Sequence, residues 1–216
     1  MGADRSGEQP AGFAVLGSQH HYRGWAIDVR TDEVVMPDGS VARRDVVEHP
    51  GAVAVVLIEP GDVVVMVRQY RHPVGHDLLE LPAGLLDVDG EPAIVAAQRE
   101  LFEEAALRAV EWSVLLDLHT SPGMTDEAIR IYLARGATPV AESERFVAEH
   151  EEITMTVERH RLDELVAMAL SGALTNAAAV AGVLAAAAVR SHDWDGLRPI
   201  ESPWPARPGR VGANPG

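Results

Sequence analysis

Three carboxylates define the chemistry open to this chain. Glu100, Glu103 and Glu104 stand three and four residues apart, so on a helix they share one face. Like charges at that spacing repel, and a helix shaped only for stability would avoid them. A hard divalent cation removes the conflict, because Mg²⁺ takes carboxylate oxygens and completes its shell with water and substrate phosphates. A glycine-containing loop precedes the trio, running from Gly84 to Gly90, and Leu81-Pro82-Ala83 precedes the loop. The arrangement reads as strand, loop and metal-binding helix. A rival reading, a calcium loop at Asp87-Val88-Asp89-Gly90, fails. Counting back from Gly90 places Leu85 where the first acidic ligand is required.

The elements that must hold this helix can be placed from patterning. Ala52–Ile58 is an almost unbroken apolar run, which suits a strand buried on both faces. Pro60-Gly61-Asp62 turns it into a second strand, Val63–Arg71, and Asp77–Leu81 is a short strand leading to the loop. Pro92 opens the helix, where its missing N–H costs little, and the helix runs to about Leu107. Trp112–Leu118, Ala128–Ala134 and Ile153–Val157 are expected as strands, Leu162–Leu170 and Asn176–Arg190 as helices, and 138–152 as a polar loop. Upstream, Trp25–Arg30, Glu33–Met36 and Val41–Glu48 are short strands around a Pro37-Asp38-Gly39-Ser40 turn. This predicts an α/β fold with its sheet enclosed by helices, behind a small antiparallel β-unit. The expected divisions are a flexible 1–15, the β-unit at 16–50, a catalytic domain at 51–195 and a flexible tail at 196–216.

Composition narrows the function further. With 216 residues and a net charge of −15, the chain lacks the basic surface of a nonspecific nucleic-acid binder. No cysteine is present, which excludes disulfides, zinc–thiolate sites and cysteine nucleophiles. Residues 1–16 lack a basic start with an apolar run. Ala173–Val189 is alanine-rich and carries Thr175 and Asn176, too weakly apolar to span a bilayer. It is expected as a close-packed or dimer-facing helix. Neither a nucleic-acid nor a membrane partner is expected, and the cytoplasm is the expected location.

The segment from Gly84 through Glu91 to Arg99-Glu100-Leu101-Phe102-Glu103-Glu104-Ala105-Ala106-Leu107 resembles the signature box of the Nudix hydrolases. It departs in two places: the loop from Gly84 to Glu91 is one residue longer than usual, and Ala106 replaces the closing glycine. Outside the box, Arg68-Gln69-Tyr70-Arg71 running to Glu80-Leu81-Pro82-Ala83-Gly84 resembles the ADP-ribose pyrophosphatase branch, actinobacterial type. Arg44–His49 ahead of Gly51–Ala54, and Pro122 at 16 residues beyond Ala106, point the same way. The resemblance implies an α/β/α sandwich with a mixed sheet. It also implies Mg²⁺- or Mn²⁺-dependent hydrolysis of ADP-ribose to AMP and ribose 5-phosphate, and a homodimer that exchanges its N-terminal sheets.

By the same resemblance, Glu100 and Glu104 are metal ligands, Glu103 is a ligand directly or through water, and the carbonyl of Ala83 completes the site. Arg99 orients a box glutamate. Glu152, in the loop carrying Glu149, His150 and Glu151, activates the water or holds a catalytic metal, with Glu151 and Glu103 next in line. Arg71 and Arg44 are assigned to diphosphate or ribose, Arg44 acting on the other subunit's ligand. Glu80 binds ribose or adenine, or pairs with an arginine, and Gly123 and Met124 are substrate contacts. Another nucleoside diphosphate sugar or a dinucleotide as substrate, or a non-catalytic nucleotide-binding regulator, are the alternatives. The histidines have no ligand spacing and are read as structural.

Overall fold

Strand β4 (Ala52–Glu59) decides how the interior is organised. Its apolar run has side chains alternating between two faces, and the two sets enter different cores. Ala54, Val56 and Ile58 join one core, while Val53, Val55 and Leu57 join the other. The computed structural model describes residues 12–144, 146 and 153–207. Among them, two units separate: 12–50 with Ser121–Glu127, and Gly51–Thr120 with 128–207.

In the larger unit the main sheet runs β12 (Thr156–Arg161), β5 (Val63–Arg71), β4, β10 (Ala128–Arg135), β9 (Glu111–His119). Strand β6 (His76–Glu80) pairs with β5, and β7 (Ala83–Leu85) with β4. Strands β10 and β4 are parallel and the other pairings antiparallel, so the sheet is mixed. Helix α1 (Ala93–Ala105) covers one face through Ala96, Ala97, Leu101 and Ala105. Helices α2 (Leu162–Ser171) and α3 (Ala177–Arg190) cover the other through Leu162, Leu165, Ala178, Ala179, Val183 and Ala186. The α/β/α expectation therefore stands, with helices on both faces. A small pair, β8 (Leu107–Arg108) and β11 (Thr138–Pro139), follows α1.

Helix α3 starts at Asn176, whose side chain accepts the Ala179 N–H at 2.9 Å, a normal N-cap. Its small residues serve close approach to the chain's own sheet. A Cβ at Gly182 would meet Leu81 Cδ1 at 2.8 Å and Val56 Cγ2 at 3.0 Å. Of the two readings of this segment, close packing is the one seen, with Ala178, Ala179, Val183 and Ala186 buried in the core. Among the described residues no helix is long and apolar enough to cross a membrane.

The smaller unit is an antiparallel sheet, β1 (Val15–Arg23), β2 (Asp28–Val35), β3 (Val41–Glu48). The two strands expected at 25–30 and 33–36 are one strand, and β1 precedes them. The connection between β9 and β10 belongs here too. Val47 N–H donates to the Met124 carbonyl at 2.8 Å, and His49 N–H to Asp126 Oδ1 at 2.8 Å. Position 123 and Met124 are thus strapped to the strand carrying Arg44, a pairing that residues over seventy positions apart do not announce in sequence.

Residues 198–204, part of the segment expected as a loose tail, are instead fastened to the sheet; 208–216 lie outside the described residues. Arg198 exchanges backbone hydrogen bonds with Val114. Arg130, 3% exposed, clasps Asp117 and donates to the carbonyls of Ser202 and Pro203 at 2.8 and 2.9 Å. Ile200 and Trp204 pack on the α1-side core. The binary pattern hides this, because a buried arginine inside an apolar strand finds its partners only in the fold. Strand β12 also begins at Thr156, three residues later than expected.

Helix α1 ends at Ala106 with φ 52° and ψ 41°, its N–H reaching the Leu101 and Phe102 carbonyls. Alanine thus adopts the left-handed conformation that glycine takes freely, at a cost of about 1–2 kcal/mol. Ala106→Gly should raise unfolding stability by about 1 kcal/mol after the extra backbone entropy is subtracted. Urea denaturation would show it as a higher midpoint at unchanged slope.

Candidate metal and active site

Strand β7 lies on β4 and passes beneath α1, bringing the loop backbone to the helix carboxylates. Ala83 N–H donates to Glu104 Oε2 at 2.9 Å. The next residue must lack a side chain, since a Cβ on Gly84 would lie 2.1 Å from the Glu100 carboxyl carbon. The opening glycine of the motif thus makes room for the Glu100 carboxylate.

Arg99 gathers the remaining acids. It donates to Glu91 at 3.3 and 3.2 Å, to Glu100 Oε1 at 2.6 Å and to Glu103 Oε2 at 3.1 Å. Its pKa is raised, chiefly by the Glu91 hydrogen bond, against an opposing effect of burial. Arg99 therefore orients the cluster, and Glu91, which the sequence reading left without a role, is its anchor. The hint was available, since Glu91 is the motif's first glutamate. Its partner, eight residues on, becomes evident only once the loop folds back.

Burial dominates the carboxylates even so. Glu100 is pushed up to about 7 by desolvation, which outweighs Arg99. Glu104 is pushed up to about 8, first by desolvation and then by Glu100, against the Ala83 N–H and Arg71. Among the described residues no three acidic or histidine side chains form a ready-made cation cage. That does not argue against Mg²⁺, which is commonly held by one or two carboxylates, with phosphates and water supplying the rest. Glu100 and Glu104 could serve as such a pair, both being hard oxygen donors that the fold desolvates. Glu103, like Glu100, is bonded by Arg99.

Arg71 and Glu80 come together, but in an unexpected relation. Arg71 donates through Nε and Nη2 to the two Glu80 oxygens at 2.9 and 2.7 Å, and both groups act on Glu104 with opposite sign. Arg44, Gly123 and Met124 lie in the smaller unit. Arg44 is exposed, donating to the Arg43 carbonyl at 2.9 Å and facing the Met36 sulfur at 3.8 Å. Glu149, His150, Glu151 and Glu152 lie outside the described residues. A cavity of about 490 Å³ at the start of α1, lined by Ile94, Tyr132, Trp204 and Arg207 among others, includes none of Glu91, Glu100, Glu103 and Glu104.

Residues 48–181 match the NUDIX domain. The chain belongs to the Nudix family. An ADP-ribose pyrophosphatase of Mycobacterium tuberculosis is 44% identical over 196 residues, 91% of this chain and 93% of that one. An ADP-ribose pyrophosphatase of Bacillus subtilis is 32% identical over 149 residues, 69% and 71% of the two chains. A solved structure described as an ADP compounds hydrolase superposes with a TM-score of 0.71 over 84% of this chain and 96% of that one, at 20% identity, which speaks for the fold. The two departures from the family motif are accommodated: Ala106 takes the left-handed position, and Glu91 still reaches Arg99 across the lengthened loop.

The raised carboxyls have a signed consequence for the metal-free protein. Both titrate above the ordinary 4.5, so the folded state binds more protons than the unfolded one. They leave stability undiminished below about pH 4.5; it falls as pH rises from there to about 7 for Glu100 and about 8 for Glu104, and levels off above. Glu104→Gln should flatten that decline, gaining on the order of 1–3 kcal/mol at alkaline pH. Mg²⁺ should raise the melting temperature of the parent at alkaline pH and not that of the variant. Melts across the pH range with and without Mg²⁺ would show it, and an equal Mg²⁺ response in both proteins would sink the assignment of Glu104.

Proposed function

We propose that this chain hydrolyses ADP-ribose to AMP and ribose 5-phosphate with Mg²⁺ or Mn²⁺. What carries the reading is the desolvated pair Glu100 and Glu104, in a chain 44% identical over nearly its full length to a protein named ADP-ribose pyrophosphatase. Water oxygen bonds to one phosphorus, the bridging P–O bond breaks, and the elements of water end on the two phosphomonoesters. A divalent cation held by Glu100 and Glu104, with the Ala83 carbonyl, supplies charge neutralisation at the phosphate oxygens.

The chain's own groups prepare and orient. The Ala83 N–H holds Glu104 in place, and Arg99 keeps Glu100 and Glu103 aligned. Arg71 contacts the diphosphate, a match for a guanidinium fork. Glu152 accepts the proton of the attacking water, with Glu103 next in line. Arg44, Gly123 and Met124 contact the substrate. Release of AMP from ADP-ribose with Mg²⁺, and none without it, is the expected result. A panel including a GDP-sugar and a dinucleotide, compared by kcat/KM, tests the substrate, and a better rate on either would reassign it. Glu152→Gln should lower kcat on the order of 10²-fold with KM nearly unchanged, and Glu151→Gln should be mild. The reverse ranking would move the role by one residue.

The working form we propose is a homodimer built on the smaller unit. All nine residues of β1 are exposed, Leu16 at 61% and Tyr22 at 57% among them, and Trp25 beyond it is exposed at 90%. Among its described residues, only Thr31 and Asp32 fall below 9% exposure. A three-stranded sheet needs an apolar face covered to be stable, and two-fold pairing is the common solution. In such a dimer Arg44 serves the other subunit's ligand. Light scattering at micromolar concentration should give twice the chain mass, and a fully active monomer would refute both the dimer and the shared site.

A further inference from the structure

The ion pair between β5 and β6 is built unlike the surface pairs around it. Glu80 is 3% exposed, whereas the Arg71 side chain is 43% exposed. Both carboxylate oxygens are used, by Nε at 2.9 Å and Nη2 at 2.7 Å. A planar fork gripped on that edge has its orientation determined, and its other edge, with the Nη1 hydrogens, is directed away from the carboxylate. A buried carboxylate used at both oxygens is poorly placed to bind a ribose or a base. A carboxylate buried this far needs a partner for its charge, and a guanidinium gripping both oxygens supplies one with a fixed orientation. The pair also stands beside the metal site, since both members act electrostatically on Glu104.

We infer that Glu80 is a positioning residue, which holds the Arg71 guanidinium so that its outer edge meets the substrate diphosphate. The inference rests on the reading of Arg71 as a diphosphate contact. Glu80 then contributes through Arg71 alone and touches no substrate atom. The arrangement also has a charge logic. Without ligand, Arg71 offsets two neighbouring carboxylates, Glu80 and Glu104. With Glu104 holding a cation, Arg71 would stay tethered by Glu80 and its remaining positive field would act on the phosphates.

A double-mutant cycle tests this. Glu80→Gln keeps the shape and loses the charge, and Arg71→Lys keeps the charge and loses the fork. Each single variant and the double are measured for KM and kcat on ADP-ribose with saturating Mg²⁺, and for ADP affinity by calorimetry. Glu80→Gln should raise KM and weaken ADP binding about 5- to 10-fold while kcat changes less than about 3-fold, because a contact present in both ground and transition states is lost. Arg71→Lys should do the same, and the double variant should be no worse than Arg71→Lys alone. Glu80→Asp, which retains the charge but withdraws it by one methylene, should be intermediate.

Wild-type ADP affinity in Glu80→Gln, or losses that multiply in the double variant, would overturn the inference. Should Glu80→Gln not fold, Glu80→Asp takes its place in the cycle and is judged by the same criteria. Failure of wild-type protein to release AMP from ADP-ribose would overturn the substrate reading instead. The ADP-binding cycle would still decide the role of Glu80.

Discussion

The desolvation of like charges on α1 is the constraint around which this fold is arranged. Glu100 and Glu104 are withdrawn from water because they stand beside the core-packed residues of α1, three positions from Ala97 and Leu101 respectively. Left alone, such groups keep protons well above the ordinary carboxylate range. A divalent cation held there would relieve the conflict, because it takes anionic oxygen as its ligand.

Arginine carries most of the compensation in this acidic chain. Arg99 joins Glu91, Glu100 and Glu103, Arg71 joins Glu80, and Arg130 joins Asp117 to the C-terminal carbonyls. In each case a rigid fork spans several acceptors at once, which an ammonium group could not do with the same orientation. The first two orient groups at the site. The third fastens residues 198–204 against the strands behind α1, so the segment beyond the last helix helps build the wall on which the catalytic helix rests.

Steric space is set as finely as charge. Gly84 admits the Glu100 carboxylate and Gly182 admits Leu81 and Val56, and in both places one added carbon would collide. The alanine-rich α3 continues the second theme, lying close on the sheet through Ala178, Ala179 and Ala186. Ala106 is the reverse case: a backbone position that favours glycine, where α1 ends and β8 begins, is held by alanine.

Local pattern was enough to place β4, β5, α1, α3 and the face shared by Glu100, Glu103 and Glu104, because hydrophobic period and charge spacing are properties of neighbouring residues. The same spacing, with Gly84 and Glu91, determined the family and its metal chemistry. Tertiary structure alone decided the rest. The pairing of Glu91 with Arg99, of Glu80 with Arg71, and of Arg130 with a tail expected to be loose are contacts between groups whose separation in sequence says nothing of their separation in space. It also decided that the loop with Met124 belongs to the strand of Arg44, and that α3 faces its own sheet. A charged residue's meaning depends on who neutralises it and how much water is left around it. Those two quantities exist only after the chain has folded.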